Sequence, residues 1–437
     1  MGMSDETLLN RLNGHPELRS RVESMLLVVG DEMGNLQEAD AAELRLIEEM
    51  RRMGQESLQA WASGQAAKSA EAVGSARGTW RGGKKKLRWH STFGEIAVEE
   101  IQYRRGNTHI RPFVIRAKVR HRGCSRPLQR VVTDFGADVA FAQVEDKLVE
   151  HYGIILAEST IRRVTESHAQ QLFAATRIDE SWPSEAGSGT VVVEMDGGMV
   201  PIVEADAAQQ DRRKGKKLQW KEAKLCLAHA AGSKTLSYGG TLQGDVAQAG
   251  KQLFGCARSA GFGKNSRAHA VGDGAEWIAR QVDERFGSQG SYLVDFYHVC
   301  DYLSAAAAAI HPEAEAAKVW FAQQKERLKA GHGAEVLESL RAHSETDAVA
   351  DSEAPVRTCH RYLIRRKDQL DYPGALANNL PIGSGEIESA HRYVVQKRLK
   401  LPGSWWCAAN ADHMLALRLN RANRQWDNYW NQARKAA

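Results

Sequence analysis

The 437-residue chain is predicted to be a multidomain α+β and α/β protein organised around a mixed sheet. Three observations predict this. A β-branched run beginning at Thr190 opens a series of strands that first meander and then alternate with helices. The region before it mixes helical periodicity with a short basic β pattern. The region after residue 298 loses the strand signal to alanine-rich amphipathic stretches. A hydrophobic fraction of 43% supports a sizeable core and excludes wholesale disorder.

The elements follow in order. Residues 5–62 read as helical, with Leu46, Met50, Met53 and Trp61 at helical spacing. Residues 63–86, small and polar and then basic, read as a linker. Leu87–His90, Glu95–Tyr103 and Ile110–Val119 read as strands, separated by Gly94 and the Arg105-Gly106-Asn107 turn. Over 137–170 a helix-turn-helix is expected. Phe141–Tyr152 forms its first helix with Val144 and Leu148 inward, Gly153 makes the turn, and Ile155 and Leu156 plug the gap. Ser159 caps a second helix that exposes Thr160, Arg162 and Arg163.

In the sheet domain, Thr190–Val203 is broken by Asp196-Gly197-Gly198. Leu218–His229 follows through a basic turn, Arg212–Lys217, and Thr235–Gly240 is a third strand. Helix Asp245–Ala260, strand Ala268–Gly272, helix Glu276–Phe286 and strand Tyr292–Tyr297 complete the alternation. Helices are expected over Asp301–Ile310, Glu313–Ala330 and Ala334–His343, and again from Glu386 to Leu401 after a Pro381–Gly385 turn. The expected domains are an acidic helical arm with linker (1–76), a basic β-rich element (77–136) and the helix-turn-helix (137–185). The sheet core (186–303) follows, then an all-helical insertion (304–380) and a closing segment with a basic C-terminal helix (381–437).

Charge is partitioned. The total of +5 conceals −6 over residues 1–76, +12 over 77–130 and +7 over 392–437. Such segregation points to a polyanion, most simply nucleic acid; the alternative is a solvated charged surface. Arg104, Arg105, Arg116, Lys118, Arg120 and Arg122 could grip phosphates along a duplex. No stretch approaches the ~18 apolar residues of a membrane span, and Asp5 and Glu6 at the start do not suit a secretory signal. Six dispersed cysteines without a CxxC pair give no zinc framework and suit a reducing cytoplasm.

Three carboxylates stand at element junctions. Asp196 interrupts a run of valines, where burial demands a partner and a divalent metal would serve; a strand-end turn is the alternative. Asp273, in Gly272-Asp273-Gly274, ends a strand and enters a helix, either as a second ligand or as an N-cap. Glu388 lies in the first turns of the last helix, with His391 and Arg392 on its face at i+3 and i+4. A structural salt bridge is its alternative role, and Glu386 is its competitor. Three oxygen ligands on rigid elements in a basic chain are what a two-metal phosphoryl-transfer site needs, and Mg²⁺, with Mn²⁺ as a substitute, suits them.

These residues resemble the bacterial DDE insertion-sequence transposases, closest to the ISKra type and more distantly to Mutator-like enzymes. The resemblance lies in Glu194-Met195-Asp196-Gly197, Val271–Ile278, Asp295-Phe296-Tyr297-His298 and above all in PIGSGEIESAHRYVVQKRLKLPGSWW at 381–406. It spans about residues 80–420. It implies a ribonuclease-H-like core with a helical insertion, and a DDE triad of Asp196, Asp273 and Glu388, Glu388 matching the family spacing after GSG. It implies supporting roles for Asp295, as an auxiliary ligand, and for His298, which could equally be a core histidine. It places Lys397, Arg398 and Lys400 toward DNA, and Trp406 either on a flipped base or in the core. Glu386 stands where a small residue is usual, and Ser404-Trp405 where Met-Arg is usual. The activity implied is Mg²⁺-dependent cleavage of element ends and strand transfer to target DNA by a dimer or higher oligomer. A nuclease without strand transfer and a non-enzymatic DNA-binding regulator are the alternatives.

Overall fold

A computed structural model describes residues 3–30, 38–205 and 215–435. The chain divides into two compact units, Met1–Thr165 with Trp430–Ala437, and Glu166–Tyr429.

The first unit begins with helices α1 (Asp5–Asn13), α2 (Pro16–Val29) and α3 (Ala39–Gly74). Glu49 of α3 is fully buried and is held by Arg21 at 2.9 Å and Arg45 at 2.8 Å, which offsets the cost of burying its charge. The linker expected over 63–86 is not one. Its first half is the end of α3, where Ala66 and Ala70 are buried, and from Trp80 it is already strand. Small residues there allow the helix to lie close on a sheet, and composition alone could not separate that from a flexible tether. Of the apolar residues at helical spacing, Met50 and Trp61 are exposed.

The sheet has the order β3-β2-β1-β4, from β1 (Trp80–Ser91), β2 (Gly94–Arg105), β3 (Thr108–Ile110) and β4 (Gly123–Cys124). The strand expected over 110–119 ends at Ile110, and α4 (Pro112–Ala117) replaces it. Pro112 sets the first helical turn, while the buried Glu100 carboxylate accepts the Phe113 N–H at 3.1 Å and the Val114 N–H at 3.3 Å.

Three helices follow: α5 (Arg126–Asp138), α6 (Phe141–Tyr152) and α7 (Glu158–Ala175), the unit boundary falling within α7. Leu128, Val132, Val144, Leu148, Ile154, Leu156, Ile161 and Val164 form one core, so the expected helix pair carries an additional leading helix. Gly153 makes the turn at φ 63°. Leu156 fills the gap with Ile154, whereas Ile155 is 76% exposed. Ser159 lies inside the first turn; Ala157 stands at the helix entry, its carbonyl accepting from Ile161 N at 3.1 Å.

The second unit holds a five-stranded sheet of order β7-β6-β5-β8-β9. Its strands are β5 (Thr190–Ala205), β6 (Lys216–Ala230), β7 (Ser237–Thr241), β8 (Arg267–Gly272) and β9 (Gly290–Val294). β6 runs antiparallel to β5 and β7, whereas β5, β8 and β9 are parallel. α8 (Val246–Ser259) and α9 (Glu276–Phe286) supply the crossovers and pack on Val191, Val193 and Met195 of β5. β5 does not break at Gly197-Gly198 but runs through it, paired to Lys224 and Ala223. Of the expected basic turn, residues 212–214 lie outside the described residues, and Lys216-Lys217 already belongs to β6.

The helical block contains α10 (Phe296–Ile310), α11 (Ala314–Lys329), α12 (Gly333–Arg341), α13 (Pro355–Arg365) and α14 (Tyr372–Ala377) around its own core. β9 stops at Val294, short of the expected Tyr297, because Asp295 caps α10. The chain closes with α15 (Gly385–Ala390), a π-helical stretch over His391–Gln396, α16 (Lys397–Leu399), α17 (Ala408–Ala422) and α18 (Trp426–Lys435).

Candidate active site

Side chains alternate along β5, so Glu194, Asp196 and Gly198 share the face opposite Val193 and Met195. Glu194 pairs with Val271 at the end of the parallel β5–β8 register, which leaves Asp196 two residues further along β5 and Asp273 just beyond the end of β8. Burial raises the Asp196 carboxyl above the ordinary aspartate range, and the neighbouring Asp273 charge adds to the rise, while His391 and His298 oppose it. Asp196, Asp273, His298 and His391 therefore share one electrostatic neighbourhood.

Asp196 Oδ1 accepts the Gly197 N–H at 2.7 Å, and His391 Nε2 stands 3.5 Å from Oδ2 and 3.2 Å from the Asp196 carbonyl oxygen. The two glycines serve crowding rather than a turn. A Cβ on Gly197 would meet the mobile end of Glu222, and one on Gly198 would lie 2.7 Å from Nδ1 of the buried His391. Gly198 is thus the tighter requirement, since His391 cannot swing into solvent.

Asp273 Oδ1 accepts the Ala275 N–H at 2.9 Å, so it shapes its own loop as an N-cap-like residue while remaining half-buried beside Asp196. The helical block fixes that loop. Tyr362 donates its O–H to the Asp273 carbonyl at 2.7 Å, Arg366 Nε donates to Gly274 O at 2.8 Å, and the Tyr292 hydroxyl accepts the Gly274 N–H at 3.0 Å. Gly274 adopts φ +86°, and a Cβ there would meet Arg366 Nε at 2.5 Å.

Asp295 is not an auxiliary ligand. It is 1% exposed, and its oxygens are committed: Oδ1 accepts from Tyr297 N (2.6 Å) and His298 N (3.2 Å), and Oδ2 from Ser384 N (2.6 Å) and the Ser384 hydroxyl. It joins the start of α10 to the glycine turn that launches α15. Asp295 N donates to Gly272 O at 2.7 Å and Phe296 N to Ile382 O at 2.8 Å, which completes the junction. His298 lies half-buried in the first turn of α10.

Glu388 is exposed in the first turn of α15 and makes no ion pair among the described residues. Its competitor Glu386 is engaged with His229 of β6, Oε2 to Nε2 at 3.1 Å, an interaction that raises the His229 pKa. Sequence reasoning missed this second cluster. Glu194, 2% exposed, accepts the Ile387 N–H at 2.8 Å and so seats α15 on β5; burial pushes its carboxyl up to about 8. The available signal was its position two residues before Asp196, hence on the same strand face. His391 was read only as a neighbour of Glu388 on the helix surface, and its contact with Asp196 was missed.

Arg104, Arg105, Arg116, Lys118, Arg120, Arg162 and Arg163 are exposed in the first unit, as are Lys397 and Lys400 in the second. Arg104 is partly committed to its own turn, donating to Gly106 O at 2.9 Å. Arg398 departs from expectation: it is 1% exposed, with its guanidinium 4.7 Å from the Trp406 ring centroid. Trp406 is buried as well, and its carbonyl accepts the Val203 N–H of β5 at 2.8 Å. Both serve the core, so neither is available to a phosphate or a flipped base.

Asp196 within β5 and Asp273 just past the end of β8 lie close enough for their charges to interact, and such a carboxylate pair suits a hard divalent cation, which would relieve their repulsion. The structure brings Asp196 and Asp273 together but does not gather Glu388 with them: among the described residues no group of three His, Cys, Asp or Glu side chains stands in metal-holding geometry. Among the described residues no helix is long and apolar enough to cross a membrane. No protein-family model matches the chain, and no curated protein is similar enough to it to count as a relative.

Proposed function

We propose that the chain is a DNA transposase of the DDE type, cutting DNA at its element's ends and joining the freed 3′-hydroxyls to target DNA. The observation that carries this reading is the electrostatic proximity of Asp196, on β5, and Asp273, just past the end of the neighbouring parallel strand β8. Numbered within the sheet the order is 3-2-1-4-5 with only the second strand reversed, which supports the reading of a ribonuclease-H-like core. The helical block lies between the second aspartate and the glutamate, as the resemblance implies.

In this reading Asp196 and Asp273 hold Mg²⁺ or Mn²⁺, with Glu388 presented from α15 as the third carboxylate. The cation would supply an activated oxygen nucleophile and stabilise the leaving oxygen in an in-line displacement. His391 orients Asp196, Tyr362 and Arg366 hold the Asp273 loop, and Asp295 sets the start of α15 through Ser384. The basic β element and the α6–α7 pair bind the terminal repeats, and a dimer or higher oligomer brings two ends together.

The test is strand cleavage and joining on the element's own ends with Mg²⁺. Asp196→Ala, Asp273→Ala and Glu388→Ala are each expected to lower cleavage by about a thousandfold, the loss of several kcal/mol of transition-state stabilisation. Three variants that cleave like the parent would refute the site. Cleavage without joined products would identify a nuclease instead.

A further inference from the structure

The outer face of β1 carries basic chemistry that the candidate active site does not use. Leu87 and Trp89 are buried in a core with Ala62, Ala66 and Phe113, so alternation turns Lys86, Arg88 and His90 to the other face. The loop before β4 folds back beside them. Arg122 N donates to Arg88 O at 2.7 Å, and Arg88 N donates to His121 Nδ1 at 3.2 Å. With Thr160 of α7 these residues line a cleft of about 610 Å³.

The charge in this cleft is not balanced. Glu95 is its one acidic lining residue and pairs with Arg88 at 3.4 Å; Glu99, opposite Lys86 in the register, pairs with Lys84 at 3.3 Å. Lys86 and Arg122 have no acidic partner among the described residues, and His90 and His121 flank them. Arg122 is held at φ 58°, a left-handed conformation disfavoured for a non-glycine residue. A strained backbone that presents a cation to a concavity suits ligand binding better than solvent exposure. Arg163, at i+3 from Thr160 along α7, is exposed as well.

We infer that this cleft is a phosphate-backbone clamp for double-stranded DNA, seating a sugar-phosphate strand beside α7. Contacts of this kind fix the register of a recognition helix and carry no sequence information themselves. The inference rests on the DNA-binding reading proposed above and assigns the place and residues of the grip.

The experiment uses the full chain and a fluorescein-labelled random-sequence duplex of about 30 bp, with anisotropy measured across a salt series. Lys86→Gln and Arg122→Gly are each expected to weaken binding and to reduce the slope of log K against log salt by about one, and the double variant by about two. Arg122→Gly relaxes the left-handed backbone as it removes the charge, so its weaker binding cannot be assigned to misfolding. Lys318→Gln, an exposed lysine of α11, should leave the slope unchanged. A parent that binds with strong salt dependence and a double variant with the same slope would overturn the clamp but leave the DNA-binding reading standing. A parent that binds no duplex at low salt would sink that reading itself. A duplex RNA that alone loses affinity in the variants would overturn the assignment to DNA.

Discussion

Replacing Asp295 with asparagine is expected to loosen the junction between β9, α10 and α15 without changing its volume. The carboxylate is 1% exposed and receives three N–H groups and one hydroxyl, two donors on each oxygen. An amide oriented to keep capping α10 turns its NH₂ toward Ser384. The hydroxyl can rotate and accept, but the Ser384 N–H then has no acceptor. A buried donor left unsatisfied costs ~1–3 kcal/mol, and losing the charge from the cap bonds adds ~1, for a total of ~2–4 kcal/mol. At ~2–4 °C per kcal/mol this is a fall in melting temperature of about 4–16 °C. Hydrogen exchange should locate it, with protection lost at Ser384, Tyr297 and His298 before the rest of the sheet. Ser384→Ala keeps the N–H bond and should cost only ~1 kcal/mol. An asparagine variant that melts within a degree of the parent, with those amides still protected, would refute the reasoning.

Two further outcomes follow from the same region. Gly198→Ala places a methyl 2.7 Å from His391 Nδ1, so it should destabilise by ~1–3 kcal/mol in urea unfolding, and in the cleavage assay it should lower turnover further by displacing His391 from Asp196. Glu194, raised to about 8, keeps its proton in the folded chain over a range where the unfolded chain has lost it. The folded state then binds more protons, so stability falls with rising pH between roughly 4.5 and 8, at up to ~1.4 kcal/mol per pH unit. Glu194→Gln should flatten that decline when urea midpoints are compared across the range.

The strand and helix alternation from Thr190 to Phe286 was legible because β-branched runs and 3.6-residue periodicity separate cleanly there. The proximity of Asp196 and Asp273 was legible for a related reason: both carboxylates adjoin apolar β runs, although Asp196 proves to lie within its strand and only Asp273 follows one. The rest depended on partners distant in the sequence. α3 was cut short because alanine and serine look the same in a tether and in a helix buried against a sheet. α4 was hidden because the acid at its N-terminus, Glu100, comes from another element. Arg398 reads as DNA-facing because charge suggests a surface, and only the fold shows it stacked on Trp406, for which the core was one of two readings. His229 and His391 gave no signal, since a histidine's partner is chosen by tertiary contact.

The closure at Asp295 also bears on how freely the helical block can vary. Phe296 N–Ile382 O and Asp295–Ser384 pin the two ends of the block together, so the sheet meets it as a loop whose mouth is already shut. The entropic cost of such a loop grows only with the logarithm of its length, about 0.6 kcal/mol per doubling. The block could therefore be exchanged for a shorter or longer one at small thermodynamic penalty. Tyr362 and Arg366 set the limit on that exchange, because they reach back from α13 and just beyond it to steady the Asp273 loop. A replacement that closes the mouth but omits those two donors would fold as a graft and leave the aspartate unsupported.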